Sequence, residues 1–330
     1  MSSKIEVLFS ILDTSTNILR NELDFTYLEA LAEAGDNIFE GAVLQEELRQ
    51  SAKERLQREY GKFHEGTYTS EDIRKAVQLC LLKGMKEGIQ ATHEMTPDAV
   101  GMFVSYLFNK FTMGRTDLTV LDPAVGTGNL LTTLFNHREK GVQISGFGVE
   151  VDDVLLRLAF MNANLQKHKV ELFHQDGLAP LYIDPVDAVV CDLPVGYYPN
   201  EERAKEYALH AENGLSYAHH LFIEQSIKHT KEGGYLFFLI PNFLFTSDQA
   251  PKLQEFIRKQ CHIQGVLQLA VSMFKNEKNA KSIFVLQKKG LGIQPPKQAL
   301  IVELPAFSNL KATENIMLQL NQWFSMNKDI

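Results

Sequence analysis

The 330-residue chain is 45% hydrophobic and 22% charged, the balance of a soluble globular protein with core enough for two domains of ordinary size. No apolar run reaches the about 18 residues of a membrane span, and the longest, YLFFLIPNFLF, is cut by Pro241. Thirty-three Lys and Arg against 41 Asp and Glu give a formal net charge of −8, which counts against tight, autonomous binding of duplex DNA.

The opening segment MSSKIEVLFSILDTS carries one Lys, a short apolar stretch and no clear small-residue cleavage site, so no secretory signal is expected. Cys80, Cys191 and Cys261 lie without metal or redox spacing. A cytoplasmic protein without structural zinc or disulfides is expected. Residues 16–90 read as helices. Leu44, Leu48, Ala52, Leu56 and Tyr60 recur four apart as an apolar stripe, and a further helix opens on Thr69 or Ser70 with acids in its first turn. The stripe predicts internal packing; a partner-binding or self-associating face is the alternative. His93 and Glu94 follow without an assignable role.

After residue 115 short apolar runs alternate with helical stretches. Strands are expected at 118–122, 144–150, 170–176, 187–192, 234–240, 263–269 and 282–287, with helices at 129–140, 153–168 and 217–231. That alternation predicts a mostly parallel sheet covered on both faces. Short basic clusters fall at 228–231 and 275–289. Cys191 reads as a buried strand residue. His219 and His220 read as packed or solvated at a helix start.

VLDPAVGTGNLL (120–131) reads as strand, tight turn and helix start. Gly126 and Gly128 let the backbone bend close to a ligand, and the helix offers free N–H groups. Glu150 ends the next strand, where doubly wound folds place a carboxylate on a ribose. A dinucleotide fingerprint would need a third Gly where Leu131 stands. Asp122 would repel a pyrophosphate, whereas it suits a ligand with an ammonium and a sulfonium, such as S-adenosylmethionine. Asp176 can accept from an adenine amino group.

Together DPAVGTGNLL, GVEVDD, HQDGL, CDLPVGYYP and EGGYLFFLIPNFLF resemble the ordered motifs of class I S-adenosylmethionine-dependent methyltransferases, over roughly residues 90 to 290. The similarity is to the adenine-N6 DNA methyltransferases with an N-terminal helical region, like the modification subunits of type I restriction systems. It is closer still to the stand-alone YtxK-like proteins of Gram-positive bacteria. The resemblance implies an α/β fold: a doubly wound, mostly parallel seven-stranded Rossmann-like sheet whose last strand, KSIFVLQKK, is antiparallel. It implies a helical domain over 1–92 and a methyltransferase domain over 93–330. It places S-adenosylmethionine on Asp122, Gly126, Gly128, Glu150 and Asp176, with Ala124, Val151, Gly177 and Asp192 alongside. Thr96 of the MTP segment lies toward the methionine end, with Met95 where relatives carry an aromatic.

In these relatives the fourth strand ends in Asn or Asp, Pro, Pro and an aromatic. An exocyclic amine is a weak nucleophile while its lone pair is delocalised into the ring. A side-chain oxygen and the next carbonyl accept its hydrogens and turn the lone pair outward, while the aromatic stacks on the base. Here the four positions are Asp192, Leu193, Pro194 and Val195. The acceptor is kept and the ring is absent, and Tyr197 and Tyr198 are expected to pack in the loop.

Three functions follow: methylation of an adenine-type amine, a cofactor-binding module of reduced activity, or methylation of a protein amide or small molecule. About 40 residues follow the last strand, too few for a DNA-reading domain of typical size. A DNA substrate would therefore lean on the N-terminal helices or a partner.

Overall fold

The structure, a computed structural model, describes residues 3–87, 95–274 and 277–328; His93, Glu94, Lys275 and the expected 92/93 boundary lie outside them. Four helices come first: α1 (Lys4–Leu23), α2 (Tyr27–Glu40), α3 (Gln50–Glu65) and α4 (Ser70–Glu87). Helix α1 begins well before residue 16 because Ser3 and Glu6 form a reciprocal cap on its first turn; Thr26 and Glu29 do the same for α2. Leu44 is a correction to the stripe. It precedes α3 and is 50% exposed, whereas Leu48, Ala52, Leu56 and Tyr60 are buried.

The remaining elements are α5 (Asp98–Phe111), β1 (Asp117–Asp122), α6 (Asn129–Asn136), β2 (Gln143–Glu150), α7 (Asp153–Leu165), β3 (Val170–His174), β4 (Val186–Asp192), α8 (Glu201–Ala204), α9 (Ala218–Lys228), β5 (Thr230–Pro241), α10 (Ala250–Gln260), β6 (Cys261–Gln268), β7 (Lys281–Lys288), β8 (Leu300–Glu303) and α11 (Leu310–Asn327). The strands form one sheet in the order β3-β2-β1-β4-β5-β7-β6-β8. Strand β7 alone runs antiparallel to its neighbours β5 and β6. The seven expected strands are present, and β8 adds an eighth, parallel to β6.

Both faces are covered. Helices α5, α6 and α11 bury one face around Phe108, Leu131, Phe237 and Phe324. Helices α9 and α10 bury the other around Leu221, Leu253 and Phe238. The N-terminal helices make a third core with Leu155, Leu158, Met161 and Leu165 of α7, so the stripe on α3 is used within this chain. None of the described helices is long and apolar enough to cross a membrane.

One buried cation ties the helical region to the sheet domain. Arg74 of α4 is 0% exposed. Its guanidinium pairs with Glu71 and with Asp98 at the start of α5, each at 2.6 Å, and donates to Asn129 Oδ1 at the start of α6 at 3.1 Å. Removing a buried partner leaves carboxylates unpaired, at about 3–5 kcal/mol when all groups are buried. Glu71 and Asp98 keep some solvent, so Arg74→Ala is expected to lose about 2–4 kcal/mol in urea unfolding. Lys at 74 should recover only part of this, because an ammonium lacks the guanidinium's fork of donors. A loss below about 1 kcal/mol for Arg74→Ala would show that the network contributes little.

Candidate active site

A cavity of about 770 Å³ opens at the carboxyl ends of β1, β2 and β4, where the strand order reverses between β1 and β4. Thr96, Asp122, Ala124, Gly126, Glu150, Val151, Asp176, Gly177, Asp192, Leu193, Pro194 and Val195 all line it. Gly128 stands apart from this lining. It caps α6 at φ 73°, and a Cβ there would meet that of Ala159 at 3.4 Å, so it shapes the turn from behind.

Each acid is placed by its strand end. Asp122 closes β1 and is 2% exposed, accepting the Ala124 N–H at 3.1 Å. Burial pushes its carboxyl up to about 7 against the help of the Ala124 N–H and the Cys191 thiol, and the negative charges of Asp192 and Glu150 add to the rise. Burial, reinforced by Asp122, likewise holds the Cys191 thiol far above its ordinary value, so it stays protonated and is no nucleophile.

Glu150 closes β2 and knits the glycine turn to it. Its Oε2 accepts the Gly126 N–H at 2.9 Å, and Oε1 accepts those of Val151 and Asp152 at 2.9 and 3.0 Å. Asp176, two residues beyond β3, accepts the Leu178 N–H at 2.9 Å and the hydroxyl of Tyr198. A Cβ on Gly177 would come within 2.1 Å of the Pro123 carbonyl oxygen, so no other residue fits against that turn.

At the end of β4 both carboxylate oxygens of Asp192 are engaged. Thr96 Oγ1 donates to Oδ2 at 2.9 Å, and Lys281 Nζ forms an ion pair with Oδ1. Leu193 is 1% exposed, packs into the core under α9, and donates its N–H to Leu239 O at 3.2 Å. Val195 is 47% exposed. The tyrosines pack in the loop: Tyr198 is buried against Asp176, and Tyr197 stacks on Tyr217 at 4.9 Å between centroids. His219 and His220 are buried, and burial lowers them to about 3 and about 4, so they stay neutral.

Lys281 escaped the sequence reading. Its signal lies in topology: β7 is antiparallel, so its first residue reaches the edge where the parallel strands end.

The donor set fits a cationic adenosyl ligand. Asp122 is buried with no cation pairing with it among the described residues, and Glu150, Asp176 and Asp192 line the same cavity. Four carboxylates outnumber the lysines of that lining, so a pyrophosphate would meet net repulsion, whereas a sulfonium and an ammonium relieve it.

The fold is that of S-adenosylmethionine-dependent methyltransferases. The chain belongs to the N-6 DNA methylase family, whose model matches residues 85–322, and residues 6–85 match the YtxK N-terminal helical domain. It is similar to the uncharacterized protein YtxK of Bacillus subtilis, 51% identical over 325 residues and 98% of each chain. A Listeria monocytogenes structure, solved as a candidate class I S-adenosylmethionine-dependent methyltransferase, is 45% identical with TM-score 0.91, over 97% of this chain and 99% of that one. The modification subunit of a candidate type I restriction enzyme from Vibrio vulnificus shares the fold at 15% identity and TM-score 0.69, over 97% and 90% of the two chains.

The raised carboxyl of Asp122 sets a pH dependence. Its folded value, about 7, lies above the ordinary 3.8, so the folded state holds a proton that the unfolded chain has lost. This contribution to stability is present at low pH and is lost as pH rises through about 7. A cationic ligand favours the ionised form. S-adenosylmethionine is therefore expected to bind about tenfold more tightly at about pH 7.5 than at about pH 5.5, with proton release. Calorimetry in buffers of different ionisation enthalpy checks this. Asp122→Asn should bind weakly and flatten the profile; a flat wild-type profile would remove the case for Asp122 as the cation's partner.

Proposed function

We propose that the protein methylates the exocyclic amine of adenine in DNA, with S-adenosylmethionine bound along Asp122, the Gly126 turn, Glu150 and Asp176. When bound, the cofactor supplies an electrophilic methyl group on a sulfonium. One observation carries the reading: the Asp192 carboxylate ends β4 in the same cavity as the other three acids, held by the Thr96 hydroxyl. In this role an Asp192 oxygen accepts one amine hydrogen and the Leu193 carbonyl the other, which turns the nitrogen lone pair out of ring conjugation. Burial of Leu193 and its bond to Leu239 fix the path of the chain between these two acceptors. Asp122 and Glu150 hold and orient the cofactor, and neither takes the proton that the amine nitrogen loses on methylation.

The second reading is a cofactor-binding module of reduced activity. Val195 favours it, because the position that carries an aromatic in the motif has no ring here, and the base stacking of about 1–3 kcal/mol that such a ring supplies is missing from it.

Transfer of labelled methyl to DNA, RNA and protein fractions in parallel separates these readings. Signal in DNA that disappears in Asp192→Ala, with cofactor binding retained, supports adenine methylation; equal activity of that variant removes Asp192 from the chemistry. Val195→Tyr should raise the rate on adenine-containing single strands about tenfold. Activity seen only in Val195→Tyr favours the binding module, and signal in protein alone favours an amide acceptor.

The net charge of −8 gives a further expectation. The protein alone should bind duplex DNA weakly, with little complex above about 0.15 M salt, because each phosphate contact weakens steeply with salt. Nanomolar affinity at that salt would show a concentrated basic face that outweighs the overall charge.

A further inference from the structure

We propose that Lys281 is a built-in competitor for the methyl-acceptor place: its ammonium sits on the Asp192 carboxylate that a substrate amine would use, and the two compete for it. The inference rests on the reading of Asp192 as the amine's acceptor.

Three observations support it. First, the fold brings Lys281 to the site. Register places Asp192 beside Leu239 on β5 and Lys281 beside Pro241 on the same strand, so the side chain reaches back across the end of β5 into the cavity. Second, the contact uses the acceptor itself. Lys281 holds Oδ1 while Thr96 holds Oδ2, so an incoming N–H donor shares an oxygen with one of them and competes with it for that oxygen. An ammonium and an exocyclic amine offer the same hydrogen-bond donor chemistry. Third, the pair is partly sheltered, with side-chain exposures of 21% for Lys281 and 17% for Asp192, so solvent screens it less than a surface pair.

The consequence is electrostatic as well as steric. Asp122, Glu150, Asp176 and Asp192 line the cavity, and Lys281 neutralises the acid at the acceptor end. A positive sulfonium near that end meets an ammonium that a neutral thioether does not feel. Lys281 therefore lowers preference for S-adenosylmethionine over its demethylated product and weakens the hold on the acceptor.

The test uses the full-length protein with Lys281→Met, which keeps the apolar stem, and Lys281→Arg, which keeps the charge. Calorimetry with S-adenosylmethionine and S-adenosylhomocysteine reads the first consequence. Lys281→Met should shift the affinity ratio toward S-adenosylmethionine by about three- to tenfold, the order expected for removing one charge from a partly solvated site. Lys281→Arg should keep the wild-type ratio. A purely structural role would weaken both ligands together, and that result, an unchanged ratio, or no binding in any form would overturn the proposal. If Lys281→Met does not fold, Lys281→Gln carries the same measurement.

Steady-state transfer to adenine-containing single strands reads the second consequence. Lys281→Met should lower KM several-fold at nearly constant kcat. A fall in kcat, or a ratio shift with unchanged KM, would overturn the competitor role. If no form methylates the strand, adenine methylation fails as the function, and the ligand ratio alone decides whether Lys281 acts on the sulfonium.

Discussion

The site depends on one line of polar contacts that begins in the N-terminal helices. Arg74 of α4, fully buried, donates to Asn129 Oδ1; the Asn129 amide reaches the Thr96 carbonyl at 3.4 Å; and the Thr96 hydroxyl donates to Asp192. A buried guanidinium is costly to desolvate and persists only with its partners in good geometry. Here the partners come from α4 itself, α5 and α6. The position of the helical region is thereby tied to the start of the helix that follows the glycine turn, and through Thr96 to the carboxylate at the end of β4. The third hydrophobic core does the same work without direction, by covering α7. Apolar burial supplies most of the adhesion, and the polar line supplies the register.

The opposing physical fact is the crowding of acids at one sheet edge. Like charges in a low-dielectric cleft repel one another, and burial makes each one costlier to keep ionised. The chain manages each carboxylate differently. Glu150 accepts three backbone N–H groups. Asp176 takes an N–H and a tyrosine hydroxyl. Asp192 takes a hydroxyl and an ammonium. Asp122 has a single N–H and a thiol neighbour, and it is the acid that burial drives up to about 7. The least satisfied carboxylate marks where a ligand cation gains most.

How much of this was legible follows from how local each signal is. The parallel strands and their terminal acids show in the sequence because an apolar run, a turn and a carboxylate are neighbours along the chain. The glycine turn shows for the same reason. Strand β8 does not: LIVE, after Pro295 and Pro296, is too short to carry a period, and it exists because β6 offers an edge. Leu44 misled because it keeps the four-residue spacing, yet α3 starts only at Gln50. Arg74 carries no local signal in the sequence, and only the approach of α5 and α6 surrounds it with partners. Lys281 opens the strand that the resemblance already gave as antiparallel; what no local pattern states is that its side chain meets Asp192 across the end of β5.

The loop after β4 shows the same distinction between local and tertiary cause. Read against its relatives' motif, Leu193 is a missing proline. In the fold it is a core residue whose N–H bonds Leu239 O. A proline there would lose that bond and the buried side chain together, so restoring the motif at 193 would not be a neutral repair. Val195 differs, because it is half-exposed and carries no bond that a ring would break. The neighbouring aromatics are already committed: Tyr198 to the carboxylate of Asp176, and Tyr197 to Tyr217. On the proposed function, the loop's rings brace the cofactor side and leave the acceptor side to Asp192, Leu193 and the Lys281 ammonium. On that reading the acceptor is held by polar groups, and the strength of the hold turns on which donor Asp192 keeps.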